Sequence, residues 1–342
     1  MTSQDERPLQ RIAVVIPSYK VKRFIIDVIA SMPEHIWRVY VVDDCCPEGS
    51  AAHVEAHCTD SRVRVLRHEV NQGVGGAVMT GYRAAVADGA DVIVKIDGDG
   101  QMDPTLIDEF VHPILTGEAD YTKGNRFYDM ESLSSMPGIR VFGNAALSLL
   151  AKLSTGYWDL FDPTNGYTAI HADVARRLPF DRISLRYFFE TDILFRLGTF
   201  RARVVDIPMD AVYGDEVSNL KISRIFGEFL RKHARNFIKR VFYNYFLRDM
   251  SVASIELVAG LSIMTFGVVF GAWHWANSAT HHIATPIGTV TIAALSILCG
   301  LQLLLAFIGY DVSHVPQRAI HCRRPRPDAT PVSELSPMSP EQ

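Results

Sequence analysis

The stretch Asp91–Pro104, DVIVKIDGDGQMDP, carries the strongest signal in the chain, because an apolar run ends abruptly in two carboxylates. Val92–Ile96 has the length and β-branched composition of a buried strand, and Asp97 and Asp99 follow it directly. Two carboxylates at a strand end can hold a hard divalent cation. A plain Asp-Gly turn is the alternative. A calcium-binding EF-hand loop is excluded, because Gln101 replaces the third acid of that loop.

Three more short apolar runs lie upstream, and helical patterns separate them. The apolar runs are residues 12–16, 39–42 and 63–66, and the helical patterns are residues 24–32, 51–57 and 76–87. Strands that alternate with helices indicate parallel βαβ units and an α/β sheet. In such sheets ligands bind at the carboxyl ends of the strands, so the residues that follow each run are candidates for a site.

Two of these strand ends suit a nucleotide. Asp43 and Asp44 can accept hydrogen bonds from a base N–H or a ribose hydroxyl, although helix capping by Asp44 also accounts for them. The turn NQGVGG, with Asn71, Gly73 and Gly76 as candidate contacts, opens a helix and lets a phosphate approach closely. A tight turn without a ligand is the alternative. Val78 stands where a dinucleotide-binding fingerprint needs a glycine, which disfavours that class.

Polarity changes sharply near residue 250. Between Met250 and Tyr310, Glu256 is the one residue with a formal charge. The region contains two apolar stretches, residues 255–275 and 286–309, each long enough to cross a bilayer. Basic residues flank the pair on both sides, so the positive-inside rule predicts that both flanks are cytoplasmic. A buried helical hairpin is the alternative.

The segment before this hairpin has a helical stripe of apolar residues. Its other face is basic and carries Arg224, Arg231, Lys232, Arg235, Lys239 and Arg240. A basic amphipathic helix beside an apolar hairpin is typical of a helix that lies in the membrane plane. A soluble helix that caps the sheet is the alternative.

Composition predicts five segments. They are a polar tail (1–10), an α/β domain (11–220), a basic amphipathic juxtamembrane helix (221–250), a two-helix transmembrane hairpin (251–312) and a disordered, Pro- and Ser-rich cytoplasmic tail (313–342). The first ten residues include no apolar signal segment, so the large domain is expected in the cytoplasm. The net charge of −4 gives no reason to expect a nucleic-acid partner.

Four segments together resemble a known family. In order and spacing, VVIPSYK (14–20), VVDDCCPEGS (41–50), NQGVGGAVMTGYRAA (71–85) and KIDGDGQMDP (95–104) resemble the family-2 nucleotide-sugar glycosyltransferases of the GT-A fold. The resemblance is strongest to the polyprenyl-phosphate branch, which includes dolichyl-phosphate mannose synthases. It implies an α/β GT-A domain, a mostly parallel sheet flanked by helices, followed here by the amphipathic helix and two transmembrane helices.

The resemblance also implies roles for individual residues. The nucleoside pocket would be lined by Pro17, Tyr19, Asp43 and Asp44, with Asp97 near the sugar diphosphate. Mg²⁺ or Mn²⁺ would be held, together with the donor pyrophosphate, by Asp97, Asp99 and Gln101.

The acceptor side is implied by three further positions. Arg126 and Arg140 would grip the phosphate of a polyprenyl phosphate, with Asn144 close to them. Asp192 stands at the place of the acid on the family's acidic helix. The catalytic residues would therefore be Asp99, Arg126, Arg140 and Asp192.

The sequence departs from the family at two places. Lys20 and Val21 replace the usual Asn-Glu of the nucleotide pocket, and residues 210–212 lack the basic residue that contacts the diphosphate, for which Lys221 is a candidate substitute. The Gln-x-x-Arg-Trp motif of processive synthases does not occur in the sequence. Transfer of one sugar per event is therefore expected.

These features predict an inverting, metal-dependent transfer of a single sugar from a UDP- or GDP-linked donor to a polyprenyl phosphate at the cytoplasmic face. One alternative is transfer to a sugar or lipid hydroxyl in cell-wall or surface-polysaccharide synthesis, with Asp192 or Glu190 as the base. Another is a membrane scaffold without turnover. Assembly into a homo-oligomer is left open.

Overall fold

The computed structural model describes residues 10–128, 138–210 and 222–322, without the side chains of residues 138–141 and 222–226. Several sequence-based predictions lie outside this description. They concern the tail at residues 1–9, the Arg140 side chain, Lys221 and the tail at residues 323–342.

Within the described ranges, seven strands form one sheet in the order β3-β2-β1-β4-β6-β5-β7. In chain order they are β1 (Ile12–Ser18), β2 (Arg38–Asp43), β3 (Val63–Arg67), β4 (Val92–Lys95), β5 (Tyr121–Asn125), β6 (Thr168–His171) and β7 (Val204–Pro208). All neighbours are parallel except β6, which runs antiparallel to both β4 and β5. The prediction of an α/β, mostly parallel sheet is confirmed.

Helices cover both faces of this sheet, and three further helices follow its last strand within the described residues. They are α1 (Ile25–Ala30), α2 (Ser50–His57), α3 (Val74–Ala87), α4 (Ile107–Leu115), α5 (Gly138–Thr155), α6 (Ala172–Ala175), α7 (Phe189–Phe200), α8 (Ile222–Phe242), α9 (Val252–His281) and α10 (Ile287–Ser313). A π-helical turn, Tyr243–Arg248, follows α8.

The apolar strands divide their side chains between two cores, as alternating directions along a strand require. On one face Gly81 of α3 lies directly against Val15 of β1, where a larger residue would not fit. On the other face Phe110 of α4 stacks on Tyr167 with ring centroids 3.9 Å apart. All seven residues of β1 are buried, as expected for a strand that lies between β2 and β4 in the sheet.

The helices α9 and α10 pack against each other and leave most of their apolar surface exposed. Glycines make the close contact, because a Cβ on Gly260 would be 3.1 Å from the Gly300 carbonyl, and one on Gly267 would be 2.9 Å from Ile297. Only 22% and 11% of their most apolar windows are buried. The alternative of a buried hairpin is therefore wrong, and both helices are long and apolar enough to cross a membrane.

The chain after α10 returns to the α/β domain. Val315 and Ile320 are buried, and the backbone N–H groups of Ile320 and His321 donate to the buried Asp120 carboxylate at 2.9 and 3.0 Å. Composition predicted a disordered tail from residue 313. For residues 314–322 that prediction is wrong, because a carboxylate 200 residues away supplies the hydrogen bonds that hold them.

The helix α8 also differs from its prediction. Arg240 was assigned to the basic outer face, but it is 2% exposed and forms a bidentate pair with Asp311 at 2.7 and 2.9 Å. His233 and Asn236 are buried on the same side. The helix therefore turns a polar face to the domain, where it packs chiefly on α5, while Leu230, Ile238 and Phe242 stay exposed.

Candidate active site

The carboxyl end of β4 is the centre of the candidate site. The buried Lys95 ammonium lies 2.6 Å from Asp97 Oδ1, and Asp97 keeps 30% of its side chain exposed. Gly166 closes one side of this pair, since a Cβ there would overlap Lys95 Nζ and lie 2.8 Å from Asp97 Oδ2. The site is thus an ion pair whose acid still reaches solvent.

Asp97, Asp99 and Gln101 form one turn beyond this strand. The Gln101 N–H donates to Asp99 Oδ1 at 3.0 Å, and Gly100 has a φ of +77°, which lets the turn fold back. In the described part of the chain, no three His, Cys, Asp or Glu side chains converge as a complete metal site. Two carboxylates and an amide oxygen nevertheless suit Mg²⁺ or Mn²⁺ if a diphosphate supplies further oxygens.

The paired acids after β2 hold loops in place. Asp43 accepts from the N–H groups of Cys46 and Ala51 at 2.7 Å, so it caps the start of α2. Asp44 accepts from the N–H groups of Gln72 and Gly73, also at 2.7 Å. The sequence analysis considered Asp44 as a helix cap, but Asp43 is the residue that accepts a hydrogen bond from the start of α2. Asp44 Oδ1 also lies 2.8 Å from His68 Nδ1, so both carboxylates are held mainly by protein groups.

Gly73 and Gly75 of the glycine-rich turn pack closely against the backbone of residues 184–185. A Cβ on Gly73 would lie 2.6 Å from the Leu185 carbonyl, and one on Gly75 would overlap the Ser184 carbonyl. Gly76 donates its N–H to the same Leu185 carbonyl at 3.2 Å. These contacts give the glycines a structural reason, and a phosphate at this turn stays a prediction. Asn71 donates to the Asp44 carbonyl oxygen at 3.0 Å.

The end of β1 lies next to this turn. Pro17 is buried within the strand, whereas Tyr19 is 44% exposed, with Lys20 Nζ 5.5 Å from the centre of its ring. Lys20 has a φ of +61°, a conformation that L residues adopt rarely. Tyr19 thus remains the residue of this pair that a nucleotide could touch.

The predicted acceptor arginine is held by a buried acid. Arg126 pairs with Asp162 in a bidentate arrangement, with Nε–Oδ2 at 2.8 Å and Nη2–Oδ1 at 3.2 Å. Asp162 is 1% exposed, whereas Arg126 keeps 34% of its side chain exposed. Asn144 lies half-buried on α5. Arg140 lies on the same helix, but its side chain is outside the described residues.

The two acids of α7 point in different directions, because residues two apart on a helix differ by about 200°. Asp192 accepts from the Ser184 N–H at 2.9 Å and lines a cavity against α8. Glu190 interacts electrostatically with Lys95, Lys123 and Asp97, and burial of its carboxyl raises its pKa to about 7. Asp192 as a catalytic acid stays a prediction, and Glu190 is a second candidate, because it is the acid of this helix that interacts with Asp97.

Two further buried ionisable residues, Lys123 and Asp206, contribute charge to this site, and sequence reasoning did not identify them. Burial lowers the pKa of the Lys123 ammonium to about 8, against the opposing effect of Asp162, and the ammonium donates to the Asn165 carbonyl. Burial raises the pKa of Asp206 to about 6. The sequence does contain one signal for these charges: each of the strands β4 and β5 includes a lysine, Lys95 or Lys123, and a lysine in a buried strand is rare.

A Gly166→Ala substitution will lower activity by about 10²-fold, because the new methyl group displaces Lys95 and Asp97 from their contact. Steady-state kinetics on purified protein measures this. Gly227→Ala is the matched control, since among the described residues no atom lies within 4 Å of its added Cβ. Equal kinetics for the two variants would contradict a catalytic place for the Lys95–Asp97 pair.

The comparisons with known proteins agree with this geometry. Residues 13–178 match glycosyl transferase family 2. The undecaprenyl-phosphate mannosyltransferase of Micrococcus luteus is 30% identical over 213 residues, which are 59% of this chain and 84% of that protein. The chain belongs to glycosyl transferase family 2. As a member of this family it is a glycosyltransferase, and the family resemblance drawn from its motifs is confirmed.

A second relative and a solved structure extend the comparison. The UDP-N-acetylglucosamine–dolichyl-phosphate N-acetylglucosaminyltransferase of Methanococcus voltae is 26% identical over 216 residues, 59% of this chain and 86% of that protein. Glucosyl-3-phosphoglycerate synthase from Mycobacterium tuberculosis, solved with Mn²⁺ and UDP-glucose, is 22% identical with a TM-score of 0.50 and covers 68% of this chain and 79% of that one. At that identity the solved structure supports the fold of this glycosyltransferase alone.

Proposed function

We propose that this glycosyltransferase moves one sugar from a nucleoside-diphosphate donor to the phosphate of a polyprenyl lipid, with inversion, at the cytoplasmic face of a membrane. The observation that carries the proposal is the arrangement of Asp97 and Asp99 at one strand end and of Arg126 at another, on a domain followed by two exposed apolar helices. The names of the Micrococcus and Methanococcus relatives support the acceptor class.

The donor side would rest on the turn at Asp97–Gln101. A bound Mg²⁺ or Mn²⁺ would neutralise the diphosphate and so stabilise the charge that grows on the leaving group. Asp97, Asp99 and Gln101 would hold the cation. Lys95 keeps Asp97 oriented by its 2.6 Å contact. Tyr19 is exposed beside this end of the sheet and would contact the nucleoside.

The acceptor side would rest on Arg126. A phosphate oxygen is already ionised near neutral pH, so it can attack the anomeric carbon without a strong base while the carbon–oxygen bond to the diphosphate breaks. The protein then contributes mainly position and charge. Asp162 holds the guanidinium at 2.8 Å, and 34% of the Arg126 side chain stays exposed, where an anion can reach it.

Transfer to a hydroxyl is the second candidate, and one observation favours it. Burial raises the pKa of Glu190 to about 7, and Glu190 interacts electrostatically with Asp97, as suits a general base that works near neutral pH. This candidate predicts that Glu190→Gln abolishes transfer, whereas phosphate transfer does not require an ionised Glu190.

The test is transfer from radiolabelled UDP- and GDP-sugars by purified protein in liposomes that contain polyprenyl phosphate. We expect the label in an organic-extractable product that mild acid releases. Arg126→Lys, which keeps the charge beside Asp162 but loses the bidentate fork, should raise the KM for the lipid phosphate about tenfold. Arg177→Lys on the surface is the matched control.

The outcomes separate the candidates. An acid-stable product that disappears with Glu190→Gln would replace the phosphate acceptor with a hydroxyl. A normal KM for the lipid phosphate in Arg126→Lys, with correctly folded protein, would contradict the acceptor role of Arg126. Absence of transfer from every donor in the presence of Mg²⁺ and Mn²⁺ would favour a scaffold.

A further inference from the structure

A cavity of about 550 Å³ lies between α7 and α8, on the opposite side of α7 from Glu190. Five cationic side chains line it: Arg182, Arg196, Lys232, Arg235 and Lys239. Two acids also line it: Asp181 pairs with Arg83 outside the cavity, and Asp192 forms an ion pair with Arg196 at 3.8 Å, while Lys232 pairs with Glu228 beside the cavity. The cavity therefore carries an excess of positive charge that these acids do not neutralise.

Two hydrogen-bond donors in the wall of this cavity have no acceptor. Asn236 is 7% exposed, and its Nδ2 has no partner in the described part of the chain. Arg196 Nε is likewise buried without an acceptor there; Asp192 Oδ1 lies 3.8 Å from it, beyond hydrogen-bond distance. Buried donors without acceptors are costly, and both belong to side chains that line the cationic cavity, so an anion bound there would bring acceptor oxygens close to them.

The cavity lies beside α8, and the surface of α8 indicates that the anion belongs to a lipid. From Gly227 onward, α8 has three faces: the buried His233, Asn236 and Arg240, a basic edge that includes Arg235 and Lys239, and an exposed apolar face. The apolar face presents Leu230, Ile238 and Phe242, which are 44%, 66% and 56% exposed. A helix with an apolar face beside a basic edge lies at the level of lipid headgroups.

We propose that this cavity binds the phosphate headgroup of an anionic membrane phospholipid, as a site separate from the acceptor phosphate at Arg126. The inference rests on the membrane seating proposed above. Arg182 and Arg196 would contact the headgroup from the side of the α/β domain, and Arg235 and Lys239 from α8. The bound lipid would thereby fasten α8 and the catalytic domain to the membrane surface.

The test measures binding without turnover, so it is independent of sugar transfer. Full-length protein in detergent is titrated with dioctanoyl phosphatidylglycerol, and with dioctanoyl phosphatidylcholine as the zwitterionic comparison, and native mass spectrometry counts bound lipid. We expect wild type to prefer phosphatidylglycerol. Arg182→Gln/Arg235→Gln should raise its Kd about tenfold, because two charge-assisted contacts are lost.

A matched variant removes the same charge elsewhere. Arg177→Gln/Arg231→Gln carries two fewer positive charges at positions that do not line the cavity, and should change the Kd less than about twofold. Thermal unfolding of both double variants without lipid checks that they fold. Transfer activity, measured separately, tests the proposed function and not this site.

Three results would overturn the proposal. Equal losses in the two double variants would mean nonspecific attraction of anionic lipid to a basic surface. Displacement of phosphatidylglycerol by a short-chain polyprenyl phosphate at much lower concentration would assign the cavity to the acceptor. Equally tight binding of inorganic phosphate would make it a site for a free anion.

Discussion

Asp99→Ala is expected to lower kcat/KM for sugar transfer by at least about 10²-fold. The carboxylate lies two residues beyond Asp97 in a tight turn and is one of the three candidate oxygen ligands for a cation that neutralises the leaving diphosphate. Losing one such interaction in a transition state with developing charge typically has this effect. Steady-state transfer over a range of Mn²⁺ concentrations measures both the loss and any change in the metal requirement.

The same loop offers a matched control. Asp103 is exposed and accepts the Thr105 N–H at 2.9 Å, so Asp103→Ala removes an equal charge and a local cap without touching the turn at Asp97–Gln101. We expect activity within about twofold of wild type for this variant. If Asp99→Ala keeps similar activity and an unchanged Mn²⁺ requirement, the donor diphosphate is held elsewhere.

Asp311→Asn is expected to have the largest effect on stability, about 3–5 kcal/mol. Asp311 accepts from both Arg240 terminal nitrogens, from Trp158 Nε1 at 2.9 Å and from the Tyr245 hydroxyl at 2.5 Å. Without the carboxylate, the Arg240 charge remains 2% exposed and without its counter-charge. Thermal unfolding in detergent should show a midpoint lowered on the order of 10 °C.

Asp249→Asn provides the comparison for a pair at the surface. Its carboxylate is 63% exposed and lies 3.9 Å from Arg201 and 3.8 Å from Arg248, so its loss should change stability by less than about 1 kcal/mol. Unfolding midpoints that coincide for the two variants would mean that the Arg240–Asp311 pair does not fasten α8 to the end of α10.

The strands that lead to the acidic turn could be predicted from local sequence patterns. The first four strands are runs of four to seven residues bounded by turn residues. They are mainly apolar in β1, β2 and β4, whereas β3 (VRVLR) alternates apolar residues with arginine. Carboxylates that follow such a run in sequence must lie at the sheet edge, which is why Asp97 and Asp99 could be placed together. Position along the chain was sufficient there, because the two acids belong to one turn.

Residues on helices were harder to place. Glu190 and Asp192 are two positions apart, and sequence position does not say which of them faces the sheet. Resemblance favoured Asp192, whereas the rotation of α7 turns Glu190 toward Lys95 and sends Asp192 to the cavity beside α8. The rotation of a helix depends on its packing against neighbours, and this packing is not encoded in the spacing of its acids.

By itself, the sequence determined an α/β domain of family 2, its acidic turn and an apolar hairpin, since each follows from a local pattern of hydrophobicity and charge. Only the tertiary structure decided that Asp43 and Asp44 hold loops, that Arg240 is buried and that the chain beyond α10 docks on Asp120. The last two outcomes depend on partners far away in the chain, 71 residues for Arg240–Asp311 and 200 for Asp120–Ile320. A buried charge is stabilised by a partner that only folding brings near.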